Sequence, residues 1–445
     1  QIIIHCQTLT LLLIAVACSS LALAEDWPQW RGPQGTGVST EVSLATKWSK
    51  ESDNIVWRTP LPGPGGATPV IWGERLFVSS ADGDHLVLIC LNSKTGNQLW
   101  RAHVADGNQL ARAGEGNSAS ASPSTDGKHV WAFFGVGQDF SSGVLACYDF
   151  EGNEIWKFDV ADRFGRIDIQ FGMTSTPVLH GDHLYLQLIH GAMKRGDDSR
   201  TGKIIKLDKL TGETVWAVDR VTDAEFECKH SYASPFLYDD GHQQFLVAHG
   251  ANCTTGHDLK TGQELWRFSG LNGPTELNPR DYDFTFRFVA SPGMAKGAIV
   301  IPTCKRGPTV TINVNSALHG EVDSTSAATR WSLPETPDVS IPLIVGDLAY
   351  LLHVNGRVQC VDMTTGEQLY FERTHDKAAH RASPVFADGH IYYCARDGVC
   401  TVIKAGREFE IVAYNSLEEP ITASPAIADG LIYIRTYDAL YAIKK

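Results

Sequence analysis

The sequence predicts an all-β chain, an eight-bladed β-propeller of four-stranded antiparallel blades closed by an N-terminal strand in the C-terminal blade. Three observations lead there. A Ser-, Thr- or Ile-Pro step recurs in phase at eight positions, Pro69, Pro123, Pro177, Pro235, Pro292, Pro342, Pro384 and Pro425, with steps of 54, 54, 58, 57, 50, 42 and 41 residues. Between these marks an Asp-x-x-Thr-Gly turn recurs, followed four residues after its glycine by an aromatic residue. The last unit stops one strand short, and a lone strand stands ahead of the first. Self-similarity at such a period signals a repeat architecture, and four-stranded units set around an axis make a propeller.

Each unit reads in the same order. After the proline come a short apolar run, a tight turn such as Trp72-Gly73-Glu74, and an alternating strand such as Leu184-Tyr185-Leu186. A variable loop leads to a third strand, then the Asp-x-x-Thr-Gly turn, then a fourth strand. The turn glycine supplies a positive φ that a Cβ resists. The Asp carboxylate accepts local N–H bonds and the Thr hydroxyl. Trp57, Trp100, Trp156, Trp216, Trp266 and Trp331 mark the fourth strands. A tryptophan buries ~150–250 Å², an upper bound of roughly 4–6 kcal/mol, so the six are expected to dock neighbouring blades. Two units depart from the pattern: residues 304–333, where Cys304-Lys305-Arg306-Gly307-Pro308 is read in place of the turn, and residues 400–412. After Pro425 only three strands remain, and Asn54-Ile55-Val56-Trp57-Arg58 supplies the missing fourth, leaving no open edge.

Composition excludes some classes. The chain has 445 residues, 38 Lys and Arg against 51 Asp and Glu, for a net charge of −13. Basic blocks that would track phosphates are absent, so no nucleic-acid partner is expected. Residues 1–24 read as a signal peptide ending in Ala22-Leu23-Ala24, with a second processing reading at Cys18 as a lipoprotein. Residues 25–445 read as a single propeller domain. The protein is then exported, periplasmic or secreted, monomeric, and without a membrane span. Eight cysteines follow residue 24, too sparse for a disulfide scaffold. Cys394 and Cys400 flank a hairpin turn at Arg396-Asp397-Gly398 and are candidates for a disulfide.

The Asp-x-x-Thr-Gly-x-x-x-Trp turns and the eight units resemble the PQQ-like repeat, shared by quinoprotein dehydrogenases and BamB-like assembly lipoproteins. Asp26-Trp27-Pro28-Gln29-Trp30-Arg31-Gly32 also resembles the opening of many exported bacterial PQQ-repeat proteins. The resemblance implies the fold firmly and function loosely. Its dehydrogenase branch implies PQQ with calcium and, often, an adjacent Cys-Cys pair, which this sequence lacks. The expected function is therefore a non-catalytic binding or scaffolding module for a protein partner or small ligand in the cell envelope, with envelope protein assembly as the analogy. No cofactor, metal site or catalytic residue is read from the sequence. The alternative is a PQQ- and calcium-dependent alcohol or sugar dehydrogenase.

Loop lengths point to the working face. Loops between units, and those between second and third strands, share one side of the disc. They are long at 105–118, 161–171, 190–200, 222–229 and 269–284 and short in the last three units, which predicts a lopsided binding surface. Arg163, Arg166, Asp168, His230, Arg287, His380 and Arg381 lie on these loops or just before Ser/Thr-Pro steps. They are the candidate residues for an anion or carboxylate site at the channel mouth, since arginine forks match carboxylates. The competing reading is loop charge paired with Asp281, Asp283 or Asp376.

Overall fold

A computed structural model describes residues 25–111, 116–194, 196–197, 200–375 and 378–445. Residues 1–24, read above as a signal peptide, and with them Cys18, lie outside the described residues. Among those described, eight sheets follow one another along the chain. Blade 1 runs from Val70–Trp72 to Gln98–Asp106, blade 2 from Ser124–Thr125 to Glu154–Asp159, and blade 3 from Val178–His180 to Thr214–Arg220. Blades 4 and 5 run from Phe236–Asp239 to Glu264–Phe268 and from Gly293–Ala295 to Thr329–Leu333. Blades 6 and 7 run from Leu343–Val345 to Gln368–Arg373 and from Val385–Ala387 to Ile411–Ser416. First strands of neighbouring blades touch and are innermost.

Closure follows the expected route. Ala426–Ala428, Leu431–Arg435 and Ala439–Ile443 form three strands of blade 8, and Ile55–Pro60 pairs antiparallel with the third, setting Trp57 against Ala442 and Thr59 against Leu440. Trp57 and Tyr433 lie with ring centroids 6.0 Å apart.

The turn chemistry is repeated in detail. Asp208 Oδ1 accepts from the N–H groups of Leu210 and Thr211 and from the Thr211 hydroxyl at 2.9, 2.8 and 3.1 Å. Asn92, Asp258 and Asp362 do the same in their own blades. Each indole then docks on the turn of the following blade. Trp57, Trp100, Trp156, Trp216 and Trp331 donate to the carbonyls of Ser93, Phe150, Lys209, Leu259 and Met363. The turn glycine must lack a side chain for this approach: a Cβ on Gly212 (φ +70°) would fall 2.7 Å from Trp156.

Trp266 breaks the series because blade 5 has no such turn. The structure corrects the reading of that unit. Cys304–Pro308 joins the second and third strands, not the third and fourth, and the turn is replaced by the connection between Thr309–Asn313 and Thr329–Leu333. That connection contributes a short strand, Gly320–Val322, which pairs parallel with Glu264–Phe268 and gives blade 4 a fifth strand. Blade 7 lacks both Thr and Trp, and its turn is met from blade 6 by the Tyr350 hydroxyl, which accepts from the Gly406 N–H at 2.8 Å.

Cys394 and Cys400 sit directly opposite each other in register with Sγ atoms 2.9 Å apart. Both are buried, in the facing arrangement that the disulfide expectation requires. Among the described residues, no helix is long and apolar enough to cross a membrane.

Candidate functional site

The Ser/Thr-Pro steps place small hydroxyl residues around the axis, and there they bond to one another. The Thr68 N–H donates to Ser122 Oγ at 2.9 Å, Ser122 N–H to Thr176 Oγ1 at 3.1 Å, Thr176 N–H to Ser234 Oγ at 2.8 Å, and Ser234 N–H to Ser291 Oγ at 2.9 Å. Past blade 6, where Ile341 carries no hydroxyl, the Ile341 N–H donates to Ser383 Oγ and the Ser383 N–H to Ser424 Oγ. The Thr68 hydroxyl closes the circuit on the Ser424 carbonyl at 3.1 Å. At six of the eight steps the next blade thus satisfies the N–H that its neighbour buries.

This belt surrounds a cavity of about 470 Å³ at the axis, lined from all eight blades. The floor comes from the N-terminal segment. Trp27 exchanges backbone hydrogen bonds with Ile71 in blade 1, the Pro28 carbonyl accepts from Thr125 in blade 2, and Gln29 Oε1 accepts from Leu179 in blade 3. The segment then reaches blade 7, where Gly37 and Ser39 pair with Phe386. Between these anchors Trp30 lines the cavity. The result is a cup, floored at the turn side and open on the long-loop side.

Two of the seven sequence candidates, Arg287 and Arg381, line the cup. The guanidinium of Arg287 lies 5.0 Å over the Phe171 ring, with Nη1 3.5 Å from the buried Glu227 carboxylate. Five candidates lie elsewhere. Arg163 packs 3.5 Å over Phe158 and donates to the Gly212 carbonyl on the outer flank of blade 2. Asp168 is held between Arg166, at 3.6 Å, and Arg200, at 2.9 Å. His230 is buried, its Nε2 3.0 Å from the Gly191 carbonyl, and burial lowers its basicity. His380 is buried with Nδ1 3.0 Å from the Ala378 carbonyl, and desolvation lowers its pKa to about 4.

Sequence reading missed Trp30, Asn117, Arg396 and Tyr437. Arg396 lies in the hairpin turn already marked for its cysteines, and its Nη2 donates to Tyr437 Oη at 3.1 Å. Among the described residues, the ionic side chains lining the cup are Arg287, which is paired with Glu227, Arg381 and Arg396, against Asp338. Trp30, Phe171, Tyr232 and Tyr437 supply flat surfaces between them. The Tyr232 hydroxyl accepts from the Phe171 N–H at 3.1 Å, and burial raises its pKa, so it stays protonated. The cup's cationic side faces away from the longest loops, because Arg381 and Arg396 come from the trimmed blade 7.

A calcium-bound quinone does not fit this donor set. Ca²⁺ requires six to eight oxygens, several of them carboxylates. Among the described lining residues Asp338 is the one carboxylate, and the Asn117 amide is engaged by the Ala119 N–H and the Pro64 carbonyl.

An eight-bladed propeller with an arginine-lined axial cup is the class of protein that fold and site define. The chain belongs to the family described as outer membrane protein assembly factor BamB, whose model matches residues 32–186 and 105–393. No curated protein sequence matches it. Among solved structures it is similar to BamB from Moraxella catarrhalis, with 16% identity, TM-score 0.60, and coverage of 87% of this chain and 99% of that one. It is also similar to quinohemoprotein alcohol dehydrogenase from Comamonas testosteroni, with 13% identity, TM-score 0.64, and coverage of 94% and 80%. A europium-containing methanol dehydrogenase matches with 13% identity, TM-score 0.51, and coverage of 93% and 90%. At these identities the likeness is one of fold.

Proposed function

We propose that the protein is an exported binding module, without chemistry of its own, whose axial cup receives a carboxylate-bearing segment of a protein partner. The observation that carries this reading is the charge of the described lining: three arginines against one acid, in a chain whose net charge is −13. Arginine forks bind carboxylates in bidentate fashion, and the aromatic walls offer surface to the flanking residues. The family's description as an assembly factor supports a protein as the source of that carboxylate. Among its described residues the lining offers no His, Cys or Lys and one acid, Asp338, a poor set for paired acid–base work.

The alternative, a PQQ-dependent dehydrogenase, draws on Trp30, whose indole on the floor is a stacking surface for a flat anion. The calcium donor set argues against it. Short peptides with a free C-terminal carboxylate, compared with their amides by calorimetry, test the binding reading. Free-acid peptides are expected to bind and the amides to bind at least about tenfold more weakly, a difference of ~1.4 kcal/mol. Arg381→Gln combined with Arg396→Gln is expected to abolish the preference. Equal binding of acids and amides overturns it, and dye-coupled alcohol oxidation with added PQQ and Ca²⁺ moves the assignment to the dehydrogenase.

A further inference from the structure

The top of blade 1 carries a side-chain cluster that neither the cup nor the blade packing uses. Strand His85–Asn92 pairs with Gln98–Asp106, setting His85 opposite Asp106 and Val87 opposite His103. Two residues on one strand, Val87 and His85, thus face three-residue spacing on the other. The register shift between Leu86 and Val87 leaves Val104 as the extra residue of a bulge, and its side chain is buried. In a regular strand, residues three apart point to opposite faces. The bulge inverts that parity and turns His103 to the same side as Asp106 and His85, which is how bulges re-aim side chains.

All three side chains are exposed and converge on one point. His85 Nδ1 lies 2.6 Å and His103 Nε2 2.8 Å from the same carboxylate oxygen, Asp106 Oδ1, and the three ligand atoms lie within 4.8 Å of one another. The rings meet edge to face at 5.1 Å. We propose that His85, His103 and Asp106 form a binding site for a divalent transition-metal ion of the Zn²⁺ or Cu²⁺ type. Two imidazoles and a carboxylate suit these ions and not Ca²⁺ or Mg²⁺, which take oxygen ligands.

In the metal-free arrangement each imidazole donates the proton on its facing nitrogen to Asp106. An ion takes those nitrogens as lone-pair donors, and each tautomeric proton moves to the outer ring nitrogen, so the rings remain neutral and Asp106 supplies the one ligand charge. Metal–ligand bonds of ~2.0–2.2 Å ask the three atoms to spread slightly, which exposed side chains do freely. Remaining positions are open to water. Asp82 and Asp84 belong to the same hairpin, and Arg101 is held by Asp82 rather than by Asp106. The site stands at the root of the loop that delivers Leu110, Gly116 and Asn117 to the cup.

Titration of the untagged full chain with Zn²⁺ against a chromophoric competitor, and Cu²⁺ electron paramagnetic resonance, test the assignment. The wild-type chain is expected to take one ion, with nitrogen hyperfine coupling from two imidazoles in the Cu²⁺ spectrum. His85→Asn with His103→Asn, both exposed positions, is expected to weaken uptake by about 10–100-fold or more and to remove the coupling, with melting in metal-free buffer unchanged. Asp106→Asn weakens uptake while retaining the nitrogen coupling. Absence of uptake by the wild-type chain, or equal uptake with an unchanged spectrum in the double variant, overturns the proposal.

Discussion

The indole N–H of Trp57, on a strand ahead of the first repeat, donates to the Ser93 carbonyl in blade 1 at 2.9 Å. The same residue sits opposite Ala442 in blade 8. One side chain therefore links the last blade, the first blade and the N-terminal strand, repeating at the seam what the other indoles do inside the array.

Truncating such an indole leaves a cavity and an orphaned carbonyl. Trp331, buried with its Nε1 2.9 Å from the Met363 carbonyl, is the test position. Trp331→Ala is expected to cost ~3–5 kcal/mol by denaturant unfolding. Trp266→Phe is expected to cost much less, because the Trp266 N–H has no partner among the described residues.

The axial belt makes a second prediction. Ser122→Ala removes the acceptor of the buried Thr68 N–H, and leaving such a donor unsatisfied costs ~1–3 kcal/mol. A loss below about 0.5 kcal/mol at Ser122 contradicts the role given to the belt.

Acid sensitivity follows from the buried histidines. Burial lowers the pKa of His190, His257 and His380 to about 4 and that of His249 to about 3. Unfolded, each titrates near ~6.5, so below that pH the unfolded chain binds protons that the folded chain refuses. Stability therefore falls as pH drops from about 6.5 towards 4, by up to ~1.4 kcal/mol per unit for each group. Melting measured from pH 7 to pH 5 should show the decline, and His380→Gln should flatten it. An unchanged slope contradicts neutral burial of His380.

The fold was legible because its signals are local and repeated: the proline step, the Asx turn with its glycine, and the aromatic four residues on each recur in phase. The unit at 304–333 misled because its turn was replaced by a longer connection, and no local rule says that Gly320–Val322 pairs with the preceding blade. The cup was half legible. Arg287 and Arg381 flank Ser-Pro steps, whereas Arg396 lies in a hairpin and Trp30 in a segment that reads only as an N-terminal extension. His230 and His380 look like Arg381 in sequence, and only packing separates a residue turned inward from one facing the axis. The His85, His103 and Asp106 cluster was invisible because regular alternation places His103 and Asp106 on opposite faces, and the bulge at Val104 has no sequence mark.

Ring closure carries the whole description, since belt, cup and floor exist only if blade 8 is completed by Ile55–Pro60. Hydrogen exchange and thermal melting of a chain lacking residues 25–58, beside the full chain, measure it directly. The expected result is a sharply lower melting temperature with protection lost in Ala439–Ile443 and retained in Gln244–Gly250 of blade 4. An unchanged melting temperature with Ala439–Ile443 still protected would contradict the closed ring.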